Sequence, residues 1–443
     1  MALIIGFILI IIFGILITFS LGLKINPLER IGLAYLLGFG IFTLLLFFSY
    51  LLGFKFSLLN SIIILTSVSL ILFGFYRKHF KEFFREVKNQ FLKMDFSISE
   101  ITMMLIIFSL FFYNLIMALY WPLVDWDAMA LYDFRAKVFV ATGSMDEGIR
   151  RGYFFGYPLL SSLANAWVYF LGGDNPKFLY ALYYLGLILI FYSRLRQHGG
   201  RKLALFGTLS IATTPMLFEQ AAVAYTNLPY ITYLVSGILY LSAALSEKKY
   251  NFVILGVLLT GLSTWVRSTE PFWIISIAFI FLYCLFTRKF RILFFSLVLF
   301  FLIQQPWKIY EARHAGQLYS TTGLISNSAT ILITNINSQR LAQVLRFLYN
   351  SVLNAWQPLL SLFLVFFILQ IKNSFKQKNL VILFFIMSNF IILLVGAYIF
   401  SFQYSVWEAI PGSAERMSLF FLPLFVYYIF SSDLIKQLFN KNE

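Results

Sequence analysis

The chain has 443 residues, of which 60% are hydrophobic, 20% aromatic and only 12% charged, whereas about a quarter of the residues of a soluble domain are charged. So few charges cannot cover the surface of a soluble protein of this length, which excludes a soluble enzyme, a disordered chain and a fibrous protein. The net charge of +15 raises the alternative of a nucleic-acid binder, and the positions of the charges decide that question.

The apolar segments predict an all-α fold, a polytopic transmembrane helical bundle with about 13 spans, because a helix needs about 20 apolar residues to cross the hydrocarbon. In chain order the predicted spans are 2–23, 31–54, 58–75, 101–121, 178–193, 203–218, 228–245, 252–266, 272–286, 292–307, 351–371, 380–400 and 417–430. The first span has no basic leader and no small-residue cleavage site, so it is interpreted as a retained helix.

The apolar segment 157–171 decides the topology. Five connecting segments are rich in Lys and Arg, namely 77–93, 194–202, 248–249, 288–291 and 372–378. The positive-inside rule places all five in the cytoplasm only if 157–171 does not add a membrane crossing, either because it re-enters on the same side or because it lies in the interface. The predicted topology therefore has the N-terminus outside and the C-terminus inside.

This topology divides the charges unevenly between the two sides. The inner side holds 22 of the 34 basic and 8 of the 19 acidic residues, and the outer side holds 12 and 11. The basic excess is a topology signal that faces anionic membrane lipid, so no nucleic-acid partner is predicted. Segment 77–93 has amphipathic spacing and is predicted to be an inner-surface helix on anionic lipid.

Three regions follow from these patterns. Residues 1–99 hold the N-terminal transmembrane helices and the basic cytoplasmic loop, and residues 100–307 form a catalytic transmembrane core with the outer loop 122–156. Residues 308–443 hold a second outer loop and the C-terminal transmembrane helices.

The lone Cys284 cannot form an intramolecular disulfide, and no Cys/His spacing predicts a zinc site. No cofactor is certain from the sequence, and a divalent cation stays an open alternative.

The first outer loop carries the acidic residues Asp125 and Asp127 directly after a predicted span. The pattern after Asp127 predicts an amphipathic juxtamembrane helix to about residue 141, closed by Gly143. Asp127 has two interpretations. It is an N-cap, for which Asp is favoured, or it is a general base that removes a proton from an acceptor hydroxyl.

Four cations of the same loop, Arg135, Lys137, Arg150 and Arg151, suit a phosphate group. Arg135 and Lys137 follow Asp127 on the predicted amphipathic helix, and the guanidinium group in particular matches phosphate geometry. The alternative for Lys137 is a helix pair with Asp133 at spacing i, i+4.

The order of several motifs resembles the C-type (GT-C) membrane glycosyltransferases, most closely the protein O-mannosyltransferases of glycosyltransferase family 39 and the lipid A aminoarabinose transferases. The motifs are Trp126-Asp127-Ala128-Met129, Tyr157-Pro158-Leu159-Leu160, Thr214-Pro215-Met216 with Ala224-Tyr225-Thr226-Asn227-Leu228-Pro229, Gly261-Leu262-Ser263-Thr264-Trp265-Val266-Arg267 with Glu270, and Ala414-Glu415-Arg416. They cover residues 121–286 well and the remainder only by hydropathy and by Arg416.

The resemblance implies a GT-C-like fold in a bacterial inner membrane, with the active site facing outward. It implies inverting transfer of a sugar from a polyprenyl-phosphate donor to a hydroxyl of a glycan, lipid or protein acceptor. Asp127, with Asp125 sharing or taking its role, would be catalytic. The implied substrate-binding residues are Arg135, Lys137, Tyr157, Asn227, Arg267, Glu270 and Arg416. Asn227 departs from the family, in which many members carry Asp at this position.

Other interpretations remain open for these residues. Arg267 and Glu270 could neutralise each other at the interface, and Arg416 could be an interfacial anchor. The rival function is a multispanning transporter or a flippase for lipid-linked sugars, although the halves show no clear repeat; a structural subunit is a third alternative. A cavity that contains Asp127, Arg267 and Arg416 together would favour the transferase.

Overall fold

The computed structural model of the chain describes residues 1–92, 96–146, 149, 156–268, 271–314, 337–356, 359–369, 377–403 and 413–440. Every regular element in these ranges is helical, which confirms the all-α prediction. The helices are α1 (Ala2–Ser20), α2 (Pro27–Leu51), α3 (Leu58–Leu92), α4 (Ile98–Tyr120), a π-helical turn (Ala128–Asp133), α5 (Phe134–Thr142), α6 (Leu160–Phe170), α7 (Phe178–Arg196), α8 (Arg201–Ala212), α9 (Pro215–Gln220), α10 (Asn227–Glu247), α11 (Tyr250–Val266), α12 (Trp273–Thr287), α13 (Phe290–Arg313), α14 (Ser338–Trp356), α15 (Leu359–Leu369), α16 (Gln377–Gln403), α17 (Ser413–Ser418), α18 (Leu422–Phe430) and α19 (Asp433–Asn440).

The helices make the chain a multi-pass membrane protein. Within the described residues, eight helices are long and apolar enough to cross a membrane, or nine if the bent C-terminal pair that ends in α19 is one span. Helices α11, α12 and α15 are apolar but have only 10–17 residues. The predicted count of 13 is not confirmed, because several apolar segments form short or broken helices. Segment 203–218, for example, is divided between α8 and α9.

Helices α10 and α11 form an antiparallel hairpin in the centre of the bundle. Residues 227–244 of α10 are all buried. The backbones of the two helices approach closely, because a Cβ atom on Gly237 would lie only 3.0 Å from the Gly256 carbonyl oxygen. Small residues permit such close packing between membrane helices. The hairpin therefore supplies a rigid wall, with the start of α10 and the end of α11 at the same end of the bundle.

The basic connecting segments gather at one end of the bundle. Arg194, at the end of α7, pairs with Glu29 at 3.4 Å and also with Glu247, and Glu247 pairs with Lys249 at 2.7 Å. The Lys289 ammonium lies 3.2 Å from the centroid of the Tyr250 ring. This basic end thus joins three of the segments predicted to be cytoplasmic, and it agrees with their placement on one side.

The first outer loop is attached to the opposite end. Gly143 ends α5 in the left-handed conformation, with φ of 70°, as the sequence predicts. The Phe56 N–H donates to the Gly143 carbonyl oxygen at 2.9 Å, and the Tyr50 hydroxyl donates to Asp146 at 3.0 Å. A Cβ atom on Gly143 would lie 3.1 Å from the Lys55 Cβ. Glycine is therefore required both for the backbone angle and for the close contact with the α2–α3 turn.

Segment 77–93 differs from the predicted inner-surface helix. It continues α3 beyond the membrane-spanning part, and Phe83, which is 4% exposed, packs with Ile15 and Ala34 of α1 and α2. Phe84 is 56% exposed. Part of the described apolar face of this segment therefore packs against protein. The amphipathic spacing predicts a buried face correctly but does not distinguish lipid from a neighbouring helix.

The ambiguous segment 157–171 forms α6, which has 11 residues. At 1.5 Å per residue, a helix of this length extends about 16 Å, roughly half of the 30 Å hydrocarbon thickness. Its residues 160–168 are all buried. A short buried helix agrees with a segment that leaves the topology unchanged.

Candidate functional site

A small cavity lies at the end of the bundle opposite the basic end. Its volume is about 80 Å³. It is lined by residues from four separate parts of the chain, namely Asp127, Tyr132, Tyr225, Thr226, Asn227, Arg267, Arg416 and Met417. One carboxylate and two guanidinium groups therefore line a single cavity, together with hydroxyl and amide groups.

Asp127 follows the non-helical residues after the end of α4 and directly precedes the π-helical turn. Its side chain makes no capping hydrogen bond, so the structure does not support the N-cap interpretation. No hydrogen bond or ion pair holds the carboxylate in the described ranges, and the side chain lines the cavity. The carboxylate can therefore accept a proton or a hydrogen bond from a ligand.

The π-helical turn Ala128–Asp133 follows Asp127 directly. A π-helical turn adds a residue to the helical turn, and such turns are frequent at functional sites. It places Tyr132, which is 4% exposed, in the wall of the cavity, where its hydroxyl lies 2.9 Å from the Thr226 Oγ1. Burial raises the pKa of Tyr132 to about 12, so its hydroxyl stays protonated near neutral pH and can donate a hydrogen bond.

Arg267 lies immediately after the end of α11, in extended backbone with φ of −146°. Its Nη1 donates to the Asn227 Oδ1 at 2.7 Å, and the Asn227 Nδ2 donates to the Gln220 Oε1 at 3.0 Å. Asn227 is the first residue of α10, and Gln220 is the last of α9. This chain of bonds fixes the guanidinium group at the cavity wall through two neutral amides.

Arg416, on α17, lines the cavity from the C-terminal part of the chain. Its guanidinium carbon lies 5.8 Å from the centroid of the Tyr225 ring, a distance typical of a cation–π contact. Burial raises the pKa of Tyr225, and the nearby carboxylates of Asp127 and Asp125 raise it further, whereas Arg416 opposes them. Tyr225 therefore links the acidic loop to the arginine across the cavity.

The structure places Arg135 and Tyr157 outside this cavity. Arg135 is 1% exposed, and it donates to the carbonyl oxygens of Leu131 at 3.0 Å, Tyr157 at 2.5 Å and Pro158 at 3.4 Å. Burial lowers its pKa to about 10. These contacts join α5 to the start of α6, so Arg135 positions the loop.

Lys137 also points away from the cavity. Its ammonium group lies 2.8 Å from the Asp133 carboxylate, as the i, i+4 alternative predicts, and its side chain is 66% exposed. The Asp133 side chain is buried and also accepts a hydrogen bond from the Tyr169 hydroxyl. Both contacts are typical of a pair that fastens α5 to α6.

The last two predicted site residues have different outcomes. Asp125 is half-buried and is not part of the cavity lining. It lies near Lys177 instead. Burial lowers the pKa of Lys177, and the charge of Asp125 acts in the opposite direction. Glu270 lies outside the described residues, so its predicted pairing with Arg267 stays a prediction. Arg150 and Arg151, two further cations predicted to suit a phosphate, also lie outside the described residues. Of the nine predicted site residues, the cavity brings together Asp127, Asn227, Arg267 and Arg416.

Sequence reasoning did not single out four residues of the cavity wall: Tyr132, Tyr225, Thr226 and Met417. Two of them are direct neighbours of predicted site residues, since Thr226 precedes Asn227 and Met417 follows Arg416, and Tyr225 lies two residues before Asn227 in the same motif. No sequence motif pointed to Tyr132, because the π-helical turn determines which side chain of this segment faces the cavity.

A metal site has no clear basis in the described ranges, where no three His, Cys, Asp or Glu side chains lie close enough to share an ion. Comparison with protein-family models, with curated proteins and with solved structures found no match. The functional argument therefore depends on the cavity itself.

Proposed function

We propose that the chain is a membrane glycosyltransferase that transfers a sugar from a polyprenyl-phosphate donor to an acceptor hydroxyl at the outer membrane face. The observation that carries the proposal is the shared cavity, in which one carboxylate, Asp127, is accompanied by the guanidinium groups of Arg267 and Arg416. This set supplies one proton acceptor and two phosphate-binding cations. The resemblance of the motif order to the GT-C enzymes supports the same function.

The two arginines would stabilise the phosphate of the donor. As the bond between the anomeric carbon and the phosphate oxygen breaks, negative charge develops on the departing polyprenyl phosphate. Arg267, held by Asn227 at 2.7 Å, and Arg416, placed against Tyr225, are oriented before the ligand arrives. Preorganised donors of this kind each contribute on the order of 3 kcal/mol to lowering a barrier.

Asp127 would act as the general base. The acceptor oxygen attacks the anomeric carbon from the face opposite the phosphate, and its proton passes to the Asp127 carboxylate. One C–O bond forms, another breaks, and the configuration at the anomeric carbon inverts. The carboxylate makes no capping bond and lines the cavity, as a base that must reach the acceptor requires.

A lipid-linked donor is favoured by a groove along α4. The groove has a volume of about 550 Å³ and is lined mainly by apolar side chains of α4 together with Phe218 of α9. Leu105 is 61% exposed and Tyr113 is 53% exposed, so the groove opens toward the surrounding membrane. Phe218 lies two residues before Gln220, whose side chain binds Asn227 in the cavity wall. A prenyl chain in the groove would hold its phosphate near this end of α9.

The test is donor consumption by the purified full-length protein in lipid nanodiscs. A panel of radiolabelled polyprenyl-phosphate monosaccharides is supplied with an envelope extract as the source of acceptors, and release of free polyprenyl phosphate is followed. We expect cleavage of at least one donor with transfer of the label, and its loss in Asp127→Asn. Transbilayer movement of intact donor in vesicles, with no cleavage of any donor in the panel, would instead support the flippase.

A further inference from the structure

A second cavity lies at the basic end of the bundle, at the opposite end from the proposed catalytic residues. It has a volume of about 690 Å³. Its walls come from the α1–α2 turn, the continuation of α3 and the ends of α7 and α10. The charged or ionisable residues that line it are Lys24, Arg30, His79, Glu82, Glu86 and Lys249.

Arg30 is the buried cation of this cavity, at 6% exposure. Its Nη1 donates to the Thr18 Oγ1 at 2.6 Å, and its Nη2 donates to the Leu23 carbonyl oxygen at 2.9 Å. Its guanidinium carbon lies 4.3 Å from the centroid of the Phe19 ring. In the described ranges no carboxylate forms an ion pair with it, although buried charges in proteins are usually paired.

The neighbouring carboxylate is already occupied. One oxygen of Glu29 accepts from Arg194 at 3.4 Å and from the Tyr240 hydroxyl at 2.7 Å, and the other accepts from the Asn26 amide at 3.1 Å. Glu29 therefore serves the adjacent network. Glu86 of the same cavity is close enough to interact electrostatically with Arg30, but it forms no ion pair with Arg30 in the described ranges. The charge of Arg30 therefore stays available to an anionic ligand in the cavity.

The charges of the cavity are arranged by sign. Lys24 and Arg30 belong to the α1–α2 turn and the first turn of α2, whereas Glu82 and Glu86 belong to the continuation of α3. Both carboxylates are exposed, and Glu82 contacts only His79, at 3.3 Å, in the described ranges. A ligand that carries an anion and a cation a few bonds apart would complement both walls.

The position of the cavity favours a lipid over a soluble molecule. On α3, Phe75 is 79% exposed and Phe84 is 56% exposed, on either side of His79 in the sequence. Exposed Phe side chains that alternate with charged residues on one helix are typical of the interface between hydrocarbon and headgroups. The cavity therefore lies at the level of phospholipid headgroups.

We propose that this cavity binds the headgroup of a zwitterionic phospholipid with a primary ammonium group, that is, a phosphoethanolamine headgroup. Arg30 and Lys24 bind the phosphodiester, and Glu82 and Glu86 accept hydrogen bonds from the ammonium group. An anionic lipid such as phosphatidylglycerol can bind Arg30 and Lys24 through its phosphodiester but has no ammonium group for Glu82 and Glu86. The site is independent of the proposed transferase activity, because it lies at the opposite end of the bundle.

The test uses native mass spectrometry of the delipidated full-length protein in detergent, with dioleoyl phosphatidylethanolamine or dioleoyl phosphatidylglycerol added. We expect one tightly bound phosphatidylethanolamine and a preference over phosphatidylglycerol of about tenfold, the equivalent of one charge-assisted hydrogen bond. The double variant Glu82→Gln/Glu86→Gln should lose this preference while binding of phosphatidylglycerol stays the same. Lys88→Gln, an exposed change on the same helix outside the cavity, is the control and should keep it.

Two further arms separate a lipid from a soluble ligand. Free phosphoethanolamine and inorganic phosphate, each at the lipid concentration, should fail to displace the bound phosphatidylethanolamine. Displacement by either one would overturn the lipid assignment, and equal binding of the two lipids would overturn recognition of the ammonium group. Arg30→Lys keeps the charge but loses the bidentate guanidinium geometry, so it should weaken binding of both lipids; unchanged binding in a folded variant would also contradict the proposal.

Discussion

The Arg267 Nη1 donates to the Asn227 Oδ1 at 2.7 Å, which joins the end of α11 to the first residue of α10 at the cavity wall. The two helices form one closely packed hairpin, with Gly237 and Gly256 in backbone contact. The position of the guanidinium group is therefore set by two closely packed helices. A rigid support of this kind is what a preorganised phosphate-binding group requires.

Asp127→Asn should abolish most of the sugar transfer. The amide is nearly isosteric but cannot take the acceptor proton, so we expect kcat to fall by about 10²- to 10⁴-fold. Donor binding and the elution profile in size-exclusion chromatography should be unchanged, since the side chain makes no capping bond. Asp125→Asn is the matched control, because Asp125 lies outside the cavity lining. A larger loss in Asp125→Asn than in Asp127→Asn would reassign the base.

Arg267→Gln should lower kcat more than it raises KM. The charge on the phosphate grows in the transition state, so loss of one preorganised donor is expected to cost about 10²- to 10³-fold in kcat. Steady-state kinetics with the polyprenyl-phosphate donor separates the two constants. Arg346→Gln, an exposed arginine on α14, is the control for loss of charge. Equal kinetics for the two variants would remove Arg267 from the site.

Tyr132→Phe should change the dependence of stability on alkaline pH. The folded pKa of about 12 lies above the usual value near 10, so between pH 10 and 12 the unfolded chain releases a proton that the folded protein retains. Stability is therefore lost as the pH rises through this window, by about 1.4 kcal/mol at pH 11. Thermal unfolding at pH 9 and pH 11 should show a smaller difference for the variant. An identical difference would mean that Tyr132 titrates normally.

Gly143→Ala should destabilise the outer loop. The residue has φ of 70°, and an added Cβ atom would lie 3.1 Å from the Lys55 Cβ and 3.2 Å from the Phe56 carbonyl oxygen. We expect the free energy of unfolding to fall by about 1–2 kcal/mol, because the left-handed backbone is strained for alanine and the added Cβ atom is crowded.

Gly74→Ala is the matched control for this change. No atom lies within 4 Å of a Cβ atom on Gly74, and the residue is inside α3, where alanine is favoured by about 1 kcal/mol. Thermal unfolding of the two variants should therefore differ in sign relative to the unchanged protein. A Gly143→Ala variant as stable as Gly74→Ala would contradict the predicted strain at Gly143.

Part of the site could be predicted from the sequence. Asp127, Asn227, Arg267 and Arg416 lie in motifs that follow one another along the chain, and the cavity brings all four together. The order of motifs was informative because all of them lie at the same end of the bundle, where the cavity forms. The spacing could not reveal that Arg135 faces the carbonyl oxygens of the next segment, since an amphipathic pattern does not show which buried face holds a ligand.

The fold was predictable at the level of class and not of helix count. Hydropathy detects apolar residues, but helices buried among other helices can be short and can contain polar side chains. Helix α11 has 17 residues, yet it connects the two ends of the bundle: Asn251 bonds Gly22 near the basic end, and Arg267 bonds Asn227 at the other end. Packing, which composition does not encode, determines such lengths.

The size of the first cavity has a kinetic consequence. Ligand pockets generally enclose about 300–1,000 Å³, whereas this one measures about 80 Å³ and holds only a few water molecules. On the proposed function, a sugar phosphate would enter only after the wall residues separate, so each catalytic cycle would include an opening and a closing step. Bulk water would then have little access to a bound donor, and hydrolysis of the donor would be suppressed. Turnover would then be limited by the opening rather than by the chemistry.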